Sequence, residues 1–349
     1  MNKSLIAALV ALVVLALAVF FGLNRQQQFA PVETDPAIAD FADKLADAQS
    51  IILAKGEARL TLEQRQEGWG LKESGGYPVD LSKLRKLVAD LEQSQRIEPR
   101  SDDPAHYPNY GLASESLASY SALDQEGNPL VRIRIGSRMT QLDGHYALLD
   151  DNPQVWVVGG LPQITASPRD WLKREITDIA AEEIQHVRLA DGALSDNDGT
   201  LVVDQPGDNS PNQPNINQVA SALSNLRLLD VRSEQPDLSG DTGLTEYTTK
   251  DGLVLKITHG QDVEGKYWAS FNSEAHRDRV VARPLKQDDS ADDFPQQAQE
   301  ERFQQAQNQS ETLNQRLGGY WLQLPSIPGG AIAYTMDDLV QPPQQEKTE

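Results

Sequence analysis

One order of apolar patterns runs through this chain twice, and that duplication narrows the range of folds more than any other feature of the sequence. Two capped helices anchor it. Asp80 precedes Leu81, Leu84, Leu87, Val88 and Leu91, which fall on one face at helical spacing. Asn215 stands in the same relation to Ile216, Val219, Ala220, Leu223 and Leu226. The pairs Leu81/Ile216, Leu84/Val219, Val88/Leu223 and Leu91/Leu226 are each 135 residues apart.

Flanking segments fall into line around the helices. Ala58-Arg59-Leu60 matches Val187-Arg188-Leu189, and Gly68-Trp69-Gly70-Leu71 matches the run from Gly199 to Val203. Downstream, Gly111-Leu112 matches Gly243-Leu244, the alternating run 131–136 matches 255–260, and Gly144-His145-Tyr146 matches Gly265-Lys266-Tyr267. Val155-Trp156 then matches Tyr320-Trp321, but the separation has jumped from about 121 to about 165, which places an insertion of roughly 44 residues at 272–315. Each copy reads β-β-α-β-β-β-β, with alternation and Asp-Gly turns pointing to antiparallel strands. The expected fold is α+β: two tandem copies of an antiparallel sheet-plus-helix unit, at 50–183 and 184–340. Trp156 and Trp321 are expected in equivalent core sites, and a short helix opening at Arg169 is expected to join the copies. The insertion, acidic at Asp288-Asp289 and Asp292-Asp293 and then rich in Gln, reads as a loop leading into a solvent-exposed helix. Residues 341–349 read as a disordered polar tail.

Ahead of the duplication, Leu5 to Leu23 form 19 consecutive residues without a polar side chain. As a helix they span about 28 Å, close to the hydrocarbon thickness of a bilayer. A transmembrane helix at 5–23 is therefore predicted, after a short cytoplasmic N-terminus at 1–4 and before a linker with a short amphipathic segment at 24–49. A cleaved signal peptide fits less well, because Ala16-Leu17-Ala18 lies inside the apolar run and Gln28-Phe29-Ala30 is followed at once by Pro31. The chain holds 31 Lys and Arg against 52 Asp and Glu, a net −21, and all its acidic residues lie beyond the apolar run. A short basic start, one helix and a large acidic body describe a single-pass protein facing the periplasm. The same acidity argues against a nucleic-acid partner, which requires a basic face. The absence of Cys removes disulfides, thiolate zinc sites and a Cys nucleophile.

Catalytic motifs are absent from the sequence. It contains no Gly-x-Ser-x-Gly elbow and neither of the glycine-rich phosphate loops. Its five histidines show no metal-ligand spacing, so no catalytic, cofactor-binding or metal residue is assigned. Asp196-Asn197-Asp198-Gly199 fails as a calcium loop, because its first ligand position falls on Leu194, and it reads as a turn. The doublets Asp102-Asp103, Asp150-Asp151, Glu182-Glu183 and Asp337-Asp338 read as solvated surface. The one candidate ligand or partner loop gathers Asp102, Asp103, His106, Tyr107 and Tyr110.

With the apolar helix, the stretches Gly68 to Gln93 (GWGLKESGGYPVDLSKLRKLVADLEQ), Gly144 to Ile176 and Tyr320 to Val340 make nearly the whole chain resemble a bacterial family known as domain of unknown function 4340. The resemblance implies a membrane-anchored protein, often encoded beside ABC transporter components similar to those of gliding-motility systems. It implies permease and ATPase chains as partners, and it carries over no site residue. The long Gln-rich insertion departs from the family's compact pattern. The expected function is a non-enzymatic, extracytoplasmic accessory or scaffold protein held in the bacterial inner membrane by residues 5–23. The alternatives are a solute-binding module with a cleft between the copies and a carboxylate-dependent enzyme acting on envelope polymers.

Overall fold

The computed structural model describes residues 35–66, 68–113, 118–281 and 296–342. The predicted transmembrane helix, the linker as far as residue 34, the acidic doublets at 288–293 and the tail beyond residue 342 lie outside them. Among the described residues no helix is long and apolar enough to cross a membrane.

The first helix among the described residues is α1 (Phe41–Ala46), which seats Phe41 6.2 Å from the ring of Tyr120. Strands β1 (Ser50–Lys55), β2 (Ala58–Arg65), β3 (Gly68–Leu71) and β4 (Tyr77–Pro78) follow, then helix α2 (Leu81–Glu92) and strand β5 (Gln95–Pro99). Next come β6 (Ala118–Leu123), β7 (Pro129–Met139), β8 (Gly144–Leu149) and β9 (Val155–Gly159). All are antiparallel neighbours in the order β4-β3-β2-β1-β6-β7-β8-β9-β5. Helix α2 therefore carries the chain from one edge of the sheet to the other. Burial alternates along β1, β2 and β7, so Ile51, Leu53, Leu60, Leu62, Val131, Ile133 and Ile135 face the core with Leu84, Leu87 and Leu91 of the helix. Asp80 caps α2 as expected, its carboxylate accepting the Ser82 N–H at 3.0 Å. Leu81 stays exposed.

A single helical turn, α3 (Pro168–Trp171), and strand β10 (Glu175–Thr177) lead into the second half. Strands β11 (Ile184–Arg188), β12 (Ala193–Asn197), β13 (Thr200–Val203) and β14 (Ser210–Pro211) precede α4 (Gln213–Ser221). After it come β15 (Leu226–Arg227), β16 (Asp230–Arg232), β17 (Gly243–Thr249), β18 (Leu253–Gln261) and β19 (Tyr267–Ala275). The chain then forms α5 (Gln296–Leu317), β20 (Trp321–Leu324), α6 (Ser326–Ile332), α7 (Met336–Leu339) and β21 (Val340–Gln341). The second sheet runs β13-β12-β11-β17-β18-β19-β20-β16. Apart from β4, this is strand for strand the order of the first sheet.

The strand order corrects the pattern read from the sequence. Three strands common to both sheets precede each helix, and an extra edge strand, β5 or β16, follows it. Strand β1 was missed because it continues the amphipathic stretch before it without a turn signal. It shifts one match: Leu53 opposes Leu60 and Val187 opposes Leu194, so Leu60 corresponds to Leu194 and not to Leu189. Leu53 also opposes Tyr120 and Val187 opposes Tyr247, which in turn oppose Ile133 and Leu255, so Ile133 corresponds to Leu255 and not to Ile257. The cap of α4 is Asn212 with Pro214 in the first turn, whereas Asn215 lies within the helix and donates to the Asp338 carbonyl at 2.8 Å. Trp156 and Trp321 are half-buried, and Arg96 stacks 5.3 Å from the Trp156 ring. The indoles buried among the described residues are Trp268 and Trp171, 1% and 6% exposed.

Helix α5 is not wholly exposed. Ala298, Ala306, Ser310, Leu313 and Leu317 are buried in a narrow stripe, with Leu313 and Leu317 in the core that includes Leu255 and Phe271. Small residues let the helix approach closely, and Asn314 replaces a missing strand neighbour. Its side-chain oxygen accepts the Ser273 N–H at 2.8 Å, and its amide donates to the Ser273 carbonyl at 2.7 Å.

One core cluster extends through both sheets. Across the join, Tyr77 meets Tyr320 edge-on at 5.1 Å, the Tyr320 hydroxyl donates to the Gly75 carbonyl at 3.2 Å, and the two-stranded ribbon β10-β15 lies between them in the chain's path.

Candidate functional site

The candidate loop folds as a 3-10 turn over Pro104–Tyr110, because Asp103 accepts the Ala105 N–H at 2.9 Å and Pro104 starts the turn. Its two phenols point to the outer face of the first sheet. Tyr110 packs 4.8 Å from Tyr146, and the Tyr107 hydroxyl donates to the Pro153 carbonyl at 2.8 Å. Together they cover the buried trio Leu112, Leu148 and Val155. His106 is exposed and shares a 2.9 Å hydrogen bond with the Ser101 hydroxyl, and Asp102 is exposed. The loop thus gathers Tyr107 and Tyr110 as a lid over an apolar patch, while Asp102, Asp103 and His106 face water.

The structure holds two further clefts at corresponding places, one per sheet. The first, about 550 Å³, is lined by Lys55, Arg138, His145 and the Leu161-Pro162 corner. The second, about 510 Å³, is lined by Asp191, Asp241, Asp338, His259 and Tyr267. Their charges are opposite. In the acidic cleft, the Thr245 hydroxyl donates to the Ile332 carbonyl at 2.7 Å and lies 3.1 Å from His259 Nε2, so the ring N–H is the donor to it. Burial pushes the His259 pKa below its ordinary value. The Asp338 carboxylate accepts the Thr335 N–H and Asp191 accepts the Met336 N–H, so both serve as backbone caps. In the basic cleft, burial and then Arg138 push the His145 pKa down. Among the described residues no group of three His, Asp or Glu is placed to hold a metal ion.

The richest grouping lies at the join. Two adjoining cavities of about 470 and 580 Å³ share Trp69, Pro78 and Gln315 and form one groove between the β3-β4 edge, the β10-β15 ribbon and the end of α5. Arg65, Lys173, Arg174, Arg227 and Arg316 line it, against Asp80 and Glu175. Arg174 gives its Nε–H to the Leu228 carbonyl at 3.1 Å, and Arg316 donates to the Ile176 carbonyl at 2.6 Å. Among the described residues, Arg316 Nε is buried without a partner. Burial, Arg169 and Arg227 together lower the Arg174 pKa, so the guanidinium groups repel one another. Among the described residues, Lys173, Arg174, Arg227 and Arg316 form no ion pair. Sequence reading missed this site because its cations come from four separate segments.

Fold and site define an α+β protein of two like-ordered antiparallel sheets with a cationic groove between them. The family model described as Domain of unknown function (DUF4340) matches residues 69–250, just over half of the chain, and the chain belongs to that family. The match is shorter than the near-complete resemblance read from the sequence, and Tyr320 to Val340 fall outside it. It starts in β3 and ends just past β17, so it contains Trp69, Lys173, Arg174 and Arg227 but not Arg316. No curated protein and no solved structure matches the chain.

Proposed function

We propose that this chain is a non-enzymatic accessory subunit, tethered to the bacterial inner membrane by residues 5–23, whose body docks in the periplasm onto an ABC-transporter-type complex. The apolar run of 19 residues supports the tether. The observation that carries the docking role is a set of exposed apolar side chains at one end of the second sheet. Leu244 at the start of β17, Val263 in the β18-β19 turn and Ile327 just after β20 are 52%, 82% and 71% exposed. The ladders Gly243/His259 and Tyr267/Leu324 bring those three points to the same end of the sheet. Apolar side chains grouped at the rim of a cleft suit a protein partner.

Affinity purification of the tagged full-length protein from native membranes in mild detergent tests the reading. Permease and ATPase chains in fixed ratio are the expected result, and recovery of the protein alone removes its support. Solute binding is the second reading, favoured by the cationic groove between the sheets. An enzyme working through carboxylates is less favoured, because Asp191 and Asp338 are held as backbone caps.

A further inference from the structure

We infer that the groove between the two sheets binds an anionic saccharide, its carboxylate or phosphate held by Arg174, Arg227 and Arg316 and its ring lying on Trp69. This rests on the solute-binding reading and supplies the class of ligand. Charge is the first argument. In a chain of net −21, five cations and only two carboxylates line this one groove. Arg65 is 3.9 Å from Glu63, so the excess of positive charge rests on Lys173, Arg174, Arg227 and Arg316 against Asp80 and Glu175. Guanidinium ions grouped on one wall repel one another, and an anion bound among them relieves that repulsion; Arg174 feels it from Arg169 and Arg227 on top of its burial.

The second argument is unused donor capacity. A guanidinium carries five N–H bonds in a planar fork suited to carboxylate or phosphate. Arg316 and Arg174 each donate to a single backbone carbonyl, which fixes the side chain and leaves the rest of the fork available. Arg316 Nε has no partner among the described residues although it is buried. Arg227, opposite Glu175 in the β10-β15 ladder, and Lys173 are exposed on this wall and form no ion pair among the described residues.

The remaining lining selects the body of the ligand. Trp69 is half-buried and borders both cavities, offering a flat apolar surface to whatever lies along the groove. Around it are amide and hydroxyl side chains, Gln66, Gln315 and Thr312, which exchange hydrogen bonds with sugar hydroxyls. A ring with one apolar face, polar edges and an attached anion matches all three kinds of wall.

The test is titration calorimetry on the full-length protein in detergent micelles with trigalacturonate, glucose 1-phosphate, maltotriose and inorganic phosphate. The partner variant is Lys173→Gln/Arg227→Gln, two exposed positions whose replacement leaves the fold intact, checked by its melting curve. Binding of trigalacturonate or glucose 1-phosphate, weakened at least tenfold in the variant and absent for maltotriose, supports the inference, and which of the two binds tells carboxylate from phosphate. Inorganic phosphate binding as tightly as glucose 1-phosphate, or a variant that binds as well as the parent, overturns it. Maltotriose binding as well as the charged sugars overturns it too but leaves solute binding standing, whereas no binding by any of the four overturns both.

Discussion

Asn314 is the position where the packing of α5 depends most on a single side chain. The β19-β20 ladder runs only from Tyr267/Leu324 to Ala269/Leu322, and four residues further on no described strand pairs with the Ser273 N–H and C=O on that side. Asn314 fills it with two hydrogen bonds of 2.8 and 2.7 Å. Ser273 is 4% exposed, so water does not readily replace them. Leaving one buried backbone group unpaired costs about 1–3 kcal/mol. With partial relaxation, Asn314→Ala is expected to lose about 2–4 kcal/mol over the two groups. That loss corresponds to roughly 30- to 1,000-fold faster opening at about 1.4 kcal/mol per decade. Hydrogen exchange followed by mass spectrometry on the peptide covering β19 reads it directly. Asn314→Asp keeps the acceptor but sets a carboxylate against the Ser273 carbonyl, and is expected to lie closer to Ala than to Asn. Gln307→Ala, on the exposed side of the same helix, is expected within about 0.5 kcal/mol of the parent. Unchanged exchange at Ser273 in Asn314→Ala would refute the reasoning.

Other consequences follow from the same contacts. Burial holds His259 neutral with a pKa below its ordinary 6.5, so the unfolded chain takes up the proton first on acidification. Stability is then fully present above pH 6.5 and decreases as the pH falls through that value, and melting curves between pH 7 and 5 are expected to be flatter for His259→Gln. Leu60→Ala and Leu194→Ala, at corresponding and fully buried positions, are each expected to cost about 2–5 kcal/mol. Because one core joins the sheets, calorimetry is expected to show both substitutions lowering a single shared transition, and two transitions moving separately would contradict that. A Cβ at Gly136 would strike the Tyr110 carbonyl, so Gly136→Ala is expected to lift the 3-10 turn off the sheet and speed proteolysis at 102–110, while Gly127→Ala, where nothing lies near but φ is positive, leaves that loop in place.

Local signals were the legible ones. Asp80 could be read as a cap because its partner, Ser82, is two residues away, and the alternation of β7 and β18 was plain because each has one face in the core. Strand β5 escaped because Gln95, Ile97 and Pro99 are exposed on an edge, leaving only a weak pattern in charged residues. The buried side of α5 escaped for a different reason: it is made of Ala, Ser and Asn, which carry little hydropathy and act through close approach and side-chain hydrogen bonds. In the loop at 102–110, residue types suggested binding chemistry, and only the sheet beneath shows that Tyr107 and Tyr110 are cover for Leu148 and Val155. The cationic groove had no signature at all, since Arg65, Arg174, Arg227 and Arg316 meet only through the topology.

The docking role is tested most directly by photo-crosslinking in living cells from a benzophenone residue placed in turn at Leu244, Val263 and Ile327. Asp198, in the β12-β13 turn at the opposite end of the sheet, serves as the control. The account predicts a crosslink to a transporter subunit from all three apolar positions and none from Asp198. Crosslinks from Asp198 alone, or from none of the four, would contradict it.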